Sequence, residues 1–267
     1  MPGRTEGGTL VAIDAVLLAG RENRGALRGA SEVPWEALVQ FGGRPMAAWV
    51  AEAALGAEGV GRLAVVGPAE IGSDVAAFAS DRVVTLCPHG SMLENLQRGI
   101  AACGGSSELV LILTSDIPLV RSVMVERFLR QALSRQPVAD FYYPVVPKQV
   151  VESRFGKSQR TYVRLREGTF TGGNLALVRP QVLIKMAHEV ETFMALRKSP
   201  FKLAKRLGWG FLIHFLLSRP TLAQVEQHFS NLFGVRGQAV VVDDAEIGVD
   251  VDKPEDLALC EAVLAHG

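Results

Sequence analysis

The chain has 267 residues, and 28 Lys and Arg balance 28 Asp and Glu, so its formal net charge at pH 7 is zero. That balance excludes a global electrostatic pull toward nucleic acid or an anionic membrane. With 48% hydrophobic and 21% charged residues, the composition also excludes a disordered chain.

The first half alternates apolar runs with helical patterns. Residues 11–18 read as a buried strand running into Ala19-Gly20. A helix is predicted over 45–55, a short strand over 63–66, a helix over 70–79 and a strand over 83–86. Then follow a helix over 91–103, a strand over 109–113 and a helix over 122–133. Strands that are apolar throughout and separated by helices imply a parallel sheet covered on both faces. The second half is less regular. Residues 140–146 and 161–165 read as strands joined by a basic loop, 174–178 as another strand and 180–232 as mostly helical. A last strand is predicted over 239–242. Pro254 then opens a helix to residue 264, with Glu255 and Asp256 near the positive end of its dipole. No repeat or linker interrupts the pattern. One α/β domain over 1–267, with a helical insertion at 181–235, is expected rather than two independent domains.

Cys87, Cys103 and Cys260 are odd in number and form no CxxC, which argues against a disulfide framework or a Cys-based zinc site and makes the cytoplasm the expected setting. MPGRTEGGTL has no apolar signal core. The apolar run Trp209–Leu217 is well short of the ~20 residues a spanning helix needs. No integral membrane segment is expected.

Five features could carry chemistry. The first is the loop Leu18-Ala19-Gly20-Arg21 with the following Arg24 and Arg28. Ligands of open α/β sheets bind beyond the carboxyl ends of strands. Backbone N–H groups and arginines there could meet phosphate oxygens, although the loop matches neither GxGxxG nor GxxxxGK[ST]; a plain surface turn is the other reading. The second is Asp116 in Thr114-Ser-Asp-Ile-Pro118, a hard oxygen donor of the kind Mg²⁺ prefers, or a cap of the following helix. Third, Asp250 and Asp252 lie two apart in an extended segment and share one face. Solvent or a cation must relieve their repulsion, and Asp252 would also cap the helix that Pro254 opens. Fourth, Gly90, Ser91 and Asn95 at a helix start could bind a base edge or phosphate, or simply cap. Fifth, Gly172 and Gly173 let backbone approach a ligand whose hydroxyls Asn174 could read, or form a hairpin turn.

The order of these features resembles the MobA-like nucleotidyltransferases, relatives of molybdenum-cofactor guanylyl- and cytidylyltransferases and of sugar-phosphate nucleotidylyltransferases. The resemblance rests on LAG with a basic loop, Gly42-Gly-Arg-Pro45-Met opening a helix, SDIP, GGN and DVDKPEDL, and it spans 12–180 and 238–265. It implies a Rossmann-like fold of the glycosyltransferase-A type, a mixed sheet flanked by helices. It implies that Asp116 and Asp252, with Asp250 adjacent, hold Mg²⁺. Leu18, Ala19, Gly20 and Arg21 with the following arginines would wrap the triphosphate of an NTP, and Arg24 and Arg28 would stabilise the pyrophosphate. Gly90, Ser91 and Asn95 would contact the base, and Gly172, Gly173 and Asn174 would face a small-molecule acceptor. The implied reaction moves NMP from NTP to a phosphate or hydroxyl and releases pyrophosphate. A glycosyltransferase using a sugar nucleotide and a non-catalytic nucleotide-binding protein are the alternatives.

Two positions depart from the family's LAGGxSxRxG loop and its following Lys. Arg21 stands at the second Gly, and Glu36 stands where the Lys is usual. Three readings stay open: Arg24 or Arg28 substitutes for the Lys, Glu36 assists Mg²⁺, or nucleotide is bound without turnover. The basic stretch 148–166 could help to bind an anionic acceptor or be a solvated loop. Residues 197–219 carry six Lys and Arg and no acidic residue. They read as an amphipathic helix packed on the sheet domain. An acceptor-binding lid, a homodimer interface and a peripheral membrane contact through 200–217 are the other readings.

Overall fold

The computed structural model describes residues 12–79, 81–157, 160–185 and 219–266. Along the chain it places β1 (Ile13–Leu18), β2 (Gln40–Phe41), β3 (Arg44–Pro45), α1 (Met46–Gly56), β4 (Val60–Val66), α2 (Ile71–Ala79), β5 (Val83–Leu86), α3 (Met92–Ala102) and β6 (Val110–Thr114). There follow α4 (Ser122–Ser134), β7 (Phe141–Pro147), α5 (Lys148–Phe155), β8 (Val163–Arg164), β9 (Thr169–Gly172), β10 (Leu175–Val178) and α6 (Pro180–Lys185). The last elements are α7 (Leu222–Phe233), β11 (Gly237–Val241) and α8 (Pro254–His266).

The strands β5, β4, β1 and β6 form a parallel block in that order. β1 lies at its centre, and Ala15, Val16 and Leu17 are wholly buried. Burial on both faces is why IDAVLL reads as one apolar run rather than an alternation. Leu18 pairs with Val66 on one side and Thr114 on the other. The carboxyl ends of three strands therefore open at one edge, where a ligand cleft is expected. Beyond β6 the sheet becomes mixed. β10 runs antiparallel to β6 and to β7, β9 runs antiparallel to β7, and β11 is parallel to β7. Between the pairs Gly172↔Val145 and Leu177↔Tyr142 the β9–β10 side takes five residue steps and β7 takes three. This two-residue excess is a bulge, and it falls on Gly173-Asn174.

Two apolar layers cover the sheet. One packs α1, α4 and the Cys260 face of α8 against β1, β4 and β6. The other packs α3, α6 and α7 on the opposite face through Leu93, Leu96, Ile100, Val182 and Phe229. The expectation of a parallel sheet holds for β5, β4, β1 and β6, with burial on both faces clearest at β1. The basic loop expected after residue 146 is instead α5. Its Val151 and Phe155 are four apart and buried, and Lys148 pairs with Glu152 at 3.4 Å along one face. Strand β9 was also not expected. Residues 186–218, with most of the expected helical insertion, nearly all of the segment 197–219 that carries six Lys and Arg, and the expected membrane contact at 200–217, lie outside the described residues. Among the described residues, no helix is long and apolar enough to cross a membrane.

The position of α3 depends on Gly99, where a Cβ would lie 2.6 Å from Val16 Cγ1 and 3.3 Å from Val66 Cγ2. Gly99→Val should cost about 1–3 kcal/mol by overpacking. The check is a lower urea midpoint with unchanged slope.

Candidate active site

The cleft at the strand ends holds a cavity of about 420 Å³. Leu18, Gly20 and Arg21 follow β1 into it, and Val66 ends β4 there. Gly90, Met92 and Asn95 come from the start of α3, and Thr114, Ser115 and Asp116 from the end of β6. Asn174, Asp250 and Asp252 close the far side.

One backbone hydrogen bond assembles the acidic centre. Val251 N–H donates to the Asp116 carbonyl at 2.8 Å, laying the 250–252 segment beside the end of β6. Val249 and Val251 are buried. In an extended segment alternate residues point the opposite way, so Asp250 and Asp252 turn together toward the cavity. One carboxylate oxygen from each of Asp116, Asp250 and Asp252 lies within 4.8 Å of the others. The Asp116 carboxyl is pushed up to about 6, first by its removal from water and further by Asp250 and Asp252, against a hydrogen bond from Thr114 Oγ1 at 2.5 Å.

Asn174 is fixed from both ends. Its N–H donates to the Ile247 carbonyl at 3.0 Å, and its own carbonyl accepts from Thr114 N–H at 3.2 Å. The bulge approaches its neighbours so closely that a Cβ on Gly173 would lie 2.7 Å from Ile247 and 2.8 Å from Pro144. Only glycine fits there.

Half-buried Asp250 and exposed Asp252 each also have an arginine. Arg160 pairs with Asp250 and donates to the carbonyls of Gly248 at 3.1 Å and Asp250 at 2.9 Å. Arg21 reaches Asp252 at 3.0 Å through Nη1 and Glu36 at 3.1 Å through Nε. Glu36 is pushed up to about 6 by burial, with the Arg21 charge opposing the shift.

On the Arg160 side lies a second cavity of about 400 Å³. Tyr143, Thr161, Thr171, Gly172, Gly173, Lys253 and Asp256 are among its walls, and it shares Asn174, Asp250 and Asp252 with the first. Burial and the Asp250 charge raise the Tyr143 hydroxyl above the usual range.

The structure thus brings Leu18, Gly20, Arg21, Gly90, Asn95, Asp116, Asn174, Asp250 and Asp252 around one cavity, and Gly172 and Gly173 around the other. It does not bring Ala19, Ser91, Arg24 or Arg28 to either. Ala19 is wholly buried in the core. The Ser91 hydroxyl caps α3 by accepting from Glu94 N–H at 3.2 Å. After Arg21 the loop runs beside residues 34–36, with Asn23 N–H on the Pro34 carbonyl at 2.8 Å and Glu36 N–H on the Arg21 carbonyl at 3.0 Å. This course leaves Arg24 exposed and paired with Glu22, and Arg28 exposed on the turn Ala26–Gly29. Sequence reasoning missed Met92 and Val66 as apolar walls, and Arg160, Tyr143 and Lys253 in the second cavity. It also missed that Arg21 and Glu36, the two family departures, pair with each other; their opposite charges were the available signal.

The donor set fits a hard divalent cation such as Mg²⁺: carboxylate oxygens from three residues, one of them pushed above its ordinary pKa first by burial and then by its two acidic neighbours. A carboxyl whose folded pKa exceeds its unfolded value binds its proton more tightly in the native state, so native stability falls as pH rises between the two values. For Asp116 and Glu36 these intervals run from 3.8 and 4.5, respectively, to about 6. Metal-free protein should therefore lose melting temperature across this range, and Asp116→Asn should flatten the fall. At neutral pH, Mg²⁺ at a hundredfold excess over its Kd should restore ~2.7 kcal/mol in wild type and much less in Asp116→Asn, read by thermal denaturation.

The sequence matches the family model described as the MobA-like NTP transferase domain over residues 15–229. No curated protein matches it. Among solved structures it is similar to a hypothetical transferase from Thermus thermophilus, with 39% identity and a TM-score of 0.76 over 92% of this chain and 100% of that one. It shares its fold with CMP:2-keto-3-deoxy-manno-octonic acid synthetase complexed with CTP, at 18% identity and a TM-score of 0.58 over 96% and 99% of the two chains. It also shares it with 4-diphosphocytidyl-2C-methyl-D-erythritol synthase from Anaerococcus prevotii, at 12% identity and a TM-score of 0.59 over 96% and 99%. The mixed sheet flanked by helices is thus the glycosyltransferase-A-like fold of nucleotidyltransferases, and the chain belongs to the MobA-like NTP transferase family.

Proposed function

We propose that this nucleotidyltransferase moves NMP from a Mg²⁺-bound NTP to a phosphate- or hydroxyl-bearing small molecule and releases pyrophosphate. The observation that carries the reading is the meeting of two cavities at Asn174, Asp250 and Asp252, with Asp116 beside them. The first cavity takes the nucleotide and the second the acceptor.

In the first, backbone at Gly20 lies open to the phosphates. The Asn95 carbonyl oxygen already accepts from His89 N–H at 2.7 Å, so its amide N–H₂ is the end that can donate to a base carbonyl. Met92 and Val66 supply apolar surface for the base or ribose. In the second, Lys253, Thr161 and Thr171 can bind an acceptor, and Asn174 stands between the reactants. When bound by Asp116, Asp250 and Asp252, Mg²⁺ supplies charge neutralisation for the α-phosphoryl group and the leaving pyrophosphate. The protein's own part is to hold an acceptor oxygen in line with the α-phosphorus and to keep Asp116 fixed through Thr114. A phosphate acceptor is already ionised near neutral pH and needs no strong general base.

Pyrophosphate release should be measured with ATP, GTP, CTP and UTP against phosphate- and hydroxyl-bearing acceptors in Mg²⁺. Asp116→Asn should lower kcat about 10²–10³-fold while circular dichroism stays unchanged. Undiminished release by the variant would overturn the reading, and free NDP formed from a sugar nucleotide would assign glycosyl transfer instead. Lys253→Ala should raise the acceptor KM about tenfold with little change in the NTP KM, a split that tests which cavity holds which substrate.

A further inference from the structure

We propose that Arg21 is an exchange cation: it holds Asp252 while the acidic centre lacks a metal ion, then passes its guanidinium to the nucleotide phosphates when a divalent cation claims Asp252, pivoting on Glu36. The inference rests on the reading of the first cavity as a metal-nucleotide site.

The backbone first makes the pivot. Glu22 and Trp35 form an antiparallel bridge, and the Glu36 N–H bond to Arg21 closes the adjoining step. Asn23 is nearly wholly buried, and its amide donates to the carbonyls of Ser31 at 2.8 Å and Val33 at 3.0 Å. Residues 21 and 36 are thereby held side by side, although fifteen positions separate them in sequence.

The two ends of the Arg21 contact then differ in kind. The Glu36 side chain is 5% exposed, against 45% for Asp252 and 58% for Arg21. An exposed ion pair is screened and worth little, whereas removing the partner of a buried charge is costly. When a cation competes for these carboxylates, the Asp252 end yields and the Glu36 end stays. Divalent cation and guanidinium repel each other over one carboxylate, so filling the acidic centre drives the Nη end off Asp252. Arg21 already lines the first cavity. With Nε kept on Glu36, its remaining N–H donors can fork onto phosphate oxygens. In this arrangement Glu36 is a positioning residue. It gives no charge to the phosphates; it aims the residue that does. Metal and nucleotide binding then become linked, and each must favour the other to the same degree.

The test uses the full chain and two binding titrations, with circular dichroism as the fold control. Mn²⁺ alone is followed by electron paramagnetic resonance, and Mn²⁺ with each of the four NTPs by calorimetry. Arg21→Gln should tighten Mn²⁺ alone about tenfold and weaken Mn²⁺-dependent nucleotide binding about tenfold. The double variant Arg21→Gln/Glu36→Gln keeps the formal charge of the pair at zero. Its retained tightening of Mn²⁺ would place the effect at the Asp252 contact rather than at a bared Glu36. Glu36→Gln leaves Arg21 in place and should weaken nucleotide binding several-fold, and Arg21→Lys, which cannot bridge both carboxylates, should fall between wild type and Arg21→Gln. Unchanged Mn²⁺ affinity in both Arg21→Gln and the double variant would overturn the exchange, and so would unchanged nucleotide affinity in Arg21→Gln. A wild-type protein that binds Mn²⁺ but none of the NTPs would overturn the nucleotidyl-transfer reading together with the phosphate half. The Mn²⁺ titrations would still decide the Asp252 half.

Discussion

Carboxylates of three residues brought within 4.8 Å of one another repel, and the rest of the site is arranged around that repulsion. The fold holds them there by means that do not depend on their charge. A backbone hydrogen bond from Val251 to Asp116 ties the C-terminal segment to the end of β6, and the burial of Val249 and Val251 fixes which way their acidic neighbours face. Apolar packing thus underwrites an arrangement that electrostatics opposes. The raised proton affinity of Asp116 comes first from its burial, and its two acidic neighbours add to it.

The arginines give the two sides of the acidic centre different characters. Arg160 is largely buried and donates to two backbone carbonyls as well as to Asp250, so it works as a fixed strut. Arg21 is exposed and touches only side chains at its charged end among the hydrogen bonds of the described residues. One aspartate is therefore braced on the side of the second cavity, and the other is contestable on the side of the first.

Much of this was legible in the sequence because it rests on local signals. Buried parallel strands announce themselves as unbroken apolar runs, and Asp116, Asp250 and Asp252 follow from strand ends and two-residue spacing. The resemblance to MobA-like proteins supplied the order that made those signals add up. What stayed hidden depends on contacts distant in sequence. That Arg21 answers Glu36 emerges only when residues 21–23 run beside 34–36, which no periodicity announces. Arg24 and Arg28 looked as suitable as Arg21 because composition does not show where a loop turns. Helix α5 was hidden by its lysine and arginine, although Val151 and Phe155 already had helical spacing.

The two-residue slip at Gly173-Asn174 has a mechanical consequence. β9 and β10 would otherwise be one strand running from the second cavity to the parallel block, and a rigid strand transmits any change in its twist along its whole length. The slip breaks the ladder at the boundary, and the break is pinned by Asn174 to both Thr114 and Ile247. Side chains on β8 and β9 can then change shape around the second cavity while the distortion stops short of Asp116. The bulge acts as an expansion joint, letting one half of the site diverge in shape while the other keeps its chemistry.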